Sequence, residues 1–282
     1  MENPNVPLTQ PQAPYAPRPS QEDKPPLWKR GGSALVAAAL LVINFAAKAK
    51  GLLLLLPKLK LLTTSGTMLV SIAAYALIWG WRFGVGFVLL LFVHEMGHVL
   101  QLRREGIKAS APMFIPFLGA LVAMKELPKD AAAEARVGLA GPILGSLGAL
   151  AVLGLYALTG NELFKALAFV GFFLNLFNLL PVLPLDGGRA MAALSPKLWL
   201  AGFALLIAVT ILYPNPIMVL VLLMGGLETR RRWKARKDPT EQEYHRVPAR
   251  TRWLVAGVYL GLAALLALGM DVTHIARDFG DV

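Results

Sequence analysis

Phe83-Gly84-Val85-Gly86-Phe87-Val88-Leu89-Leu90-Leu91-Phe92-Val93-His94-Glu95-Met96-Gly97-His98-Val99-Leu100-Gln101-Leu102 decides the reading of this chain. A helix needs about 20 mostly apolar residues to cross the hydrocarbon of a bilayer, and this stretch supplies them. Three ionisable groups interrupt it within five residues: His94, Glu95 and His98. Such groups are costly in lipid and are functional by default. Residues four apart share a helix face, so the two imidazoles of this HExxH pattern can bind one zinc ion. Glu95 lies one step round the helix, near the open coordination position. There it can take a proton from a water at the metal, whose pKa falls to about 7 on zinc. The hydroxide so formed attacks a peptide carbonyl polarised by the metal. The pattern therefore predicts one Zn2+ per chain, with His94 and His98 as ligands and Glu95 as general base.

The rest of the chain fits a membrane setting. It has 282 residues, of which 56% are hydrophobic and only 16% charged. Soluble domains carry about 25% charged residues. The formal charge of +11 lies between apolar runs, which argues for juxtamembrane Lys and Arg and against nucleic acid as a partner. With no cysteine there is neither a disulfide nor a thiolate-ligated metal. Residues 1–30 hold eight prolines and no apolar core, so they read as a disordered tail and not as a secretory signal.

Further apolar segments are Ser33–Ala47, Thr67–Trp81, Val137–Leu158, Leu163–Leu180, Leu198–Leu212, Ile217–Leu227 and Trp253–Met270. Leu52–Leu62 is too short and too basic to span and is expected at the interface. Trp79, Trp81 and Arg82 mark a turn at a membrane surface. Within the connection 105–136, Pro112 and Pro116 exclude a continuous helix, so Ala109–Met124 is expected to be extended or re-entrant. Residues 229–252 carry nine Lys or Arg and mark the cytoplasmic side. Counting back from them puts Arg189 and Arg103-Arg104 inside and Thr159–Glu162 outside. The fold class is an all-α polytopic membrane protein. Its expected parts are a tail (1–30), a membrane-embedded domain (31–228, core 83–189), a basic cytoplasmic loop (229–252), and a last transmembrane helix with a short tail (253–282).

Catalytic zinc usually has three protein ligands and one open position. His245 and His274 lie away from any buried segment, and Glu105, Glu126, Asp130 and Glu134 lie in the charged ends of a connection. Asp186 differs. It follows an apolar helix in Asn178-Leu179-Leu180-Pro181-Val182-Leu183-Pro184-Leu185-Asp186-Gly187-Gly188. Prolines stop the helix there, and glycines are expected to free the backbone so that the carboxylate can turn towards the histidines.

HExxH in a membrane helix, followed after two helices by NxxPxxxLDG, resembles the site-2 protease family of intramembrane zinc metalloproteases. The resemblance covers about Phe83–Arg189. It implies a three-helix metalloprotease core with additional transmembrane helices, and it matches His94, His98 and Asp186 to the metal ligands and Glu95 to the base. It also implies that Asn178 helps to position substrate. The family's GPxxN pattern appears as Gly141-Pro142-Ile143-Leu144-Gly145, with glycine where asparagine is common. Close helix packing through Gly141, Gly145 and Gly148 explains that run equally well. Relatives often carry a PDZ or nucleotide-sensing domain, for which no connection here leaves room.

The function that follows is hydrolysis of peptide bonds in or near transmembrane segments. The expected setting is the cell membrane, with a membrane-anchored protein or peptide as substrate and the site towards the cytoplasm. An unwound substrate would pair its backbone along Ala109–Met124. The alternatives are a membrane zincin acting on soluble peptides, and a proteolytically silent scaffold or transporter that keeps the metal for structure.

Overall fold

The computed structural model describes residues 64–195 and 197–274. The tail 1–30, the segments Ser33–Ala47 and Leu52–Leu62, and the end of the chain beyond 274 lie outside the described residues.

Helices α1 (Thr64–Trp79) and α2 (Trp81–Arg104) form an antiparallel hairpin around one residue, Gly80, whose φ of 83° is in the left-handed region. Glycine takes that conformation without strain. The bracketing indoles stay exposed, as expected of residues at a membrane surface. Helix α2 ends on Arg103 and Arg104, where positive charge suits the negative end of the helix dipole.

The connection that follows is extended, as its prolines require. Strands β1 (Met113–Ile115) and β2 (Gly119–Leu121) pair antiparallel, with Phe114 opposite Ala120, and a bridge joins Ala109 to Met124. The hairpin lies against α1 and α2. Phe114 N–H donates to Thr67 Oγ1 at 3.3 Å, and Phe117 N–H to the Tyr75 hydroxyl at 3.1 Å. Those partners are eight residues apart on α1, so the hairpin descends about 12 Å beside the bundle at 1.5 Å per residue. Tyr75 also touches Phe87 edge-on at 4.8 Å, and Phe87 lies two turns before His94 on α2. The tip therefore passes the level of the HExxH motif. Re-entrant describes it well.

Helix α3 (Ala131–Thr159) starts where the Asp130 side chain accepts the Ala133 N–H, and it ends on Gly160 at φ 64°. It begins six residues before the apolar run because its first turns are buried among polar partners, not lipid. Helix α4 (Glu162–Asn178) is capped by Asn161, and the chain turns through 179–185 into α5 (Asp186–Leu194). Helices α6 (Lys197–Leu212) and α7 (Pro216–Ala235) are two separate rods divided at Tyr213–Asn215. Helix α7 runs through residue 228, so the basic segment 229–252 begins as helix. A short α8 (Pro239–Tyr244) and a long α9 (Ala249–Thr273) follow.

Helices α2, α3 and α9 are long and apolar enough to cross a membrane. Helix α3 is central, packing along α2, α4, α5 and α9. Helix α9 has only 17% of its apolar window buried among the described residues. The molecule is an all-α polytopic membrane protein with one small hairpin.

One end of the bundle gathers the charge. Arg136 donates to both carboxylate oxygens of Glu105 at 2.6 and 3.0 Å. Arg232 clamps Glu134 at 2.6 and 3.0 Å, and the Tyr244 hydroxyl donates to the same carboxylate at 2.9 Å. The Arg232 guanidinium stacks 5.0 Å from the Trp199 ring centre, and the Trp199 indole N–H donates to Gly188 O at 2.7 Å. The basic segment and the last turn of α2 thus share one end.

Candidate metal centre

His94, His98 and Asp186 converge from α2 and α5, and all three are buried. Each histidine Nε2 lies 3.1 Å from Asp186 Oδ2, and the two Nε2 atoms are 3.2 Å apart. Tetrahedral zinc with bonds of about 2.0–2.1 Å separates neighbouring ligand atoms by about 3.3 Å, so this triangle matches one face of its coordination.

Proton bookkeeping leads to the same conclusion. His98 Nδ1 is 2.9 Å from the Val137 carbonyl, which can only accept. The ring proton therefore sits on Nδ1, and a neutral His98 points a bare Nε2 at the triangle. His94 Nδ1 is likewise occupied, 2.8 Å from Asn175 Oδ1. Three lone pairs then face one point, an arrangement that repels itself unless a cation joins it. The donor set is two nitrogens and one oxygen with no sulfur, which suits zinc.

Backbone contact brings these groups together. A Cβ on Gly97 would collide with the Ala140 carbonyl, so α2 and α3 touch at main-chain distance inside the motif. A Cβ on Gly141 would strike His98 Nε2 and lie 2.9 Å from His94 Nε2. Gly138 meets Arg189 Cβ and the Asp186 carbonyl, each at 2.8 Å, which seats α5 against α3. Gly187 and Gly188 have a different role from the one expected. Neither has positive φ, and both lie in the first turn of α5. Their missing side chains let the backbone of 179–183 fold directly onto that turn. Asp186 is the first residue of a helix and not part of a free turn.

Glu95 is buried beside the triangle, with Asp186 and Arg189 among the charged groups it faces. Its carboxylate makes no hydrogen bond among the described residues. Asn178 is not brought to the triangle. Its Nδ2 donates to Leu174 O at 3.1 Å within its own helix. Four of the six residues set aside from the sequence are committed elsewhere: Glu105 to Arg136, Glu134 to Arg232 and Tyr244, Asp130 to a helix cap, and His245 to the Ala192 carbonyl. Asn175 is the residue that sequence reasoning missed. A polar residue within the apolar run of α4 was the available signal, without a spacing to give it meaning.

Fold and centre together define a helical membrane protein with a metalloprotease-type His-His-Asp site. Residues 82–162 and 155–209 match the family model of peptidase family M50, the site-2 protease family. The resemblance read from HExxH and NxxPxxxLDG is borne out over that core, and the family implies zinc. The chain is 29% identical over 133 residues to a zinc metalloprotease of Methanocaldococcus jannaschii, covering 45% of this chain and 38% of that protein. It is 31% identical over 135 residues to Rip3 of Mycobacterium tuberculosis, whose name assigns it provisionally to the zinc metalloproteases. That match covers 44% of this chain and 34% of Rip3. The chain thus spans well under half the length of the curated relatives it matches.

Proposed function

We propose that this protein is a zinc metalloprotease that hydrolyses peptide bonds in or near the transmembrane segments of membrane-anchored substrates, from the cytoplasmic side of the cell membrane. The observation that supports this most directly is the donor triangle on an HExxH helix within a bundle of apolar helices. Zinc, when bound, supplies Lewis acidity to a peptide carbonyl and acidity to a water molecule.

This chain's residues do the rest. His94, His98 and Asp186 hold the metal, and the carboxylate brings one negative charge to a site that excludes bulk water. Glu95, whose carboxylate makes no hydrogen bond among the described residues, accepts a proton from the attacking water and passes it to the leaving amine. That same carboxylate argues against a silent scaffold, because a structural metal site needs no base. Among the described residues the Asn178 carboxamide oxygen has no hydrogen-bond partner, which suits it to accept from a substrate N–H.

A substrate helix hides its carbonyls in internal hydrogen bonds and must unwind before it can be cut. The outer edge of β1 is engaged by α1 through Phe114 and Thr67, whereas β2 has an edge not paired by β1, and the 113–121 hairpin extends past the level of the motif. Strand addition along that edge would hold an unwound segment by its main chain.

Glu95→Gln tests the assignment. It is expected to keep zinc and lose about 10²–10⁴-fold of the hydrolysis rate on a panel of anchored and soluble peptides. Near-normal turnover of the purified variant would remove Glu95 as the base. Wild-type cleavage confined to soluble peptides would overturn the substrate class.

A further inference from the structure

Asn175, on α4, is buried among apolar residues, and both ends of its amide are engaged. Its Nδ2 donates to the Gly171 carbonyl at 2.7 Å. A carbonyl can only accept, so the NH2 end belongs there and the oxygen faces His94 Nδ1 at 2.8 Å. That oxygen in turn can only accept. The His94 proton therefore resides on Nδ1, and Nε2 is left bare towards Asp186 and His98.

We propose that Asn175 is the positioning residue that fixes the tautomer and ring orientation of His94, and that Gly145 is the space that admits it. This rests on the metal-centre reading above and adds a residue to it. The three atoms nearest a Cβ at position 145 all belong to the Asn175 amide: Oδ1, Cγ and Nδ2, the latter two at 2.8 Å. Gly145 is thus matched to one side chain and is not a generic point of close helix packing. His98 has a main-chain partner in Val137, so His94 alone depends on a side chain for its orientation. In the GPxxN pattern an asparagine stands at the position of Gly145. In this chain the amide reaches the site from the neighbouring helix, and the glycine leaves room for it. Partners of this kind raise ligand basicity and hold the ring in place, and their loss costs about 10–100-fold in metal affinity or activity.

The test uses the full chain in detergent micelles, zinc titration against a competing chelator, and 15N spectra of labelled histidine. With four histidines, the His94 signals are assigned by comparison with His94→Gln. Asn175→Leu, similar in size but unable to accept, is expected to weaken zinc binding about 10–100-fold and to lose the Nδ1–H signature of His94 in the apo protein. Asn175→Asp, which still accepts, is expected to retain both. Gly145→Ala is expected to weaken zinc binding in the presence of Asn175 and to have little effect in an Asn175→Ala background. This cycle carries the test even where Asn175→Leu folds poorly. Unchanged zinc affinity and an unchanged His94 spectrum in Asn175→Leu would overturn the proposal and leave the metal centre standing. So would a Gly145→Ala effect of equal size with and without Asn175. Zinc binding indifferent to His94→Gln would instead overturn the metal centre itself.

Discussion

Gly141 shows how much of this centre depends on atoms that are missing. The two imidazoles occupy the space where its side chain would be, so a single methyl group competes with the metal's own ligands. Gly141→Ala is expected to lose zinc stoichiometrically, measured by elemental analysis, and to destabilise the fold by about 1–3 kcal/mol through overpacking. Gly148→Ala, whose methyl would meet Val93 Cγ1 at 3.2 Å, is the control and is expected to keep its metal. Asp186→Ala is expected to weaken zinc binding and abolish hydrolysis, whereas His245→Ala leaves both intact. Unchanged metal content in Asp186→Ala would remove it from the ligand set. The meeting of His94, His98 and Asp186 was legible in the sequence because fixed spacings and motif neighbours carry them. Asn175 was not, because its partner lies 81 residues away and the pairing exists only once α2 and α4 are packed.

Helices were legible wherever apolar runs were long, and they extended further wherever polar partners took over from lipid. Helix α3 shows why. Its first two turns hold the buried Glu134 and the exposed Arg136, charges that no hydropathy pattern would place in an apolar helix. Each is satisfied by a residue far away in the chain. Arg232 and Tyr244 hold Glu134, and burial of the phenol together with the negative charge of Glu134 pushes Tyr244 well above its usual range. Arg232→Met leaves Glu134 buried without its cation and is expected to cost on the order of 3 kcal/mol in denaturant unfolding. Arg232→Lys restores only part of this, because lysine cannot clamp both oxygens. Glu105 is the acid-sensitive counterpart. Its hydrogen bonds from Arg136 hold its carboxyl below the ordinary value of 4.5. A depressed folded value means that the pair stabilises the protein above about pH 4.5, an advantage lost as pH falls through the folded value. Thermal melts between pH 6 and 3 are expected to show a flatter acid limb for Glu105→Gln than for wild type. A proline at Leu121 would break the β ladder. It is expected to reduce cleavage of anchored substrates while leaving zinc content unchanged.

The whole molecule is polarised. The clamps on Glu105 and Glu134 put Arg103, Arg104 and the 229–252 segment at one end, and the Trp79–Trp81 turn and Asn161 line a common hollow at the other. Because the chain has no cysteine, single cysteines report sidedness without background. Cysteines at Ala111 and Glu243 are expected to react with a membrane-impermeant thiol reagent only from the cytoplasmic face, and one at Asn161 only from the opposite face. The reverse pattern would invert the topology and the side from which water reaches the site. The gathering of charge at one end was legible from the basic clusters of the sequence. The depth of the 113–121 hairpin was not, since it is set by Thr67 and Tyr75 on a helix that gives no hint of receiving a strand. One consequence concerns motion. Main chain meets main chain where α2 touches α3, and α5 is wedged against α3 and the 179–183 turn. Helices in such contact cannot slide without collision, so the metal-holding part behaves as a stator. Glycine contacts hold α6 and α7 to the same turn, where Gly202 meets the Pro181 carbonyl and Gly225 the Leu183 carbonyl. An opening for a substrate would then come from a part fastened by side chains, and the 113–121 hairpin, tied to α1 through Thr67 and Tyr75, is such a part. Tethering that hairpin to the core by an engineered cross-link should halt turnover while leaving the affinity for zinc untouched.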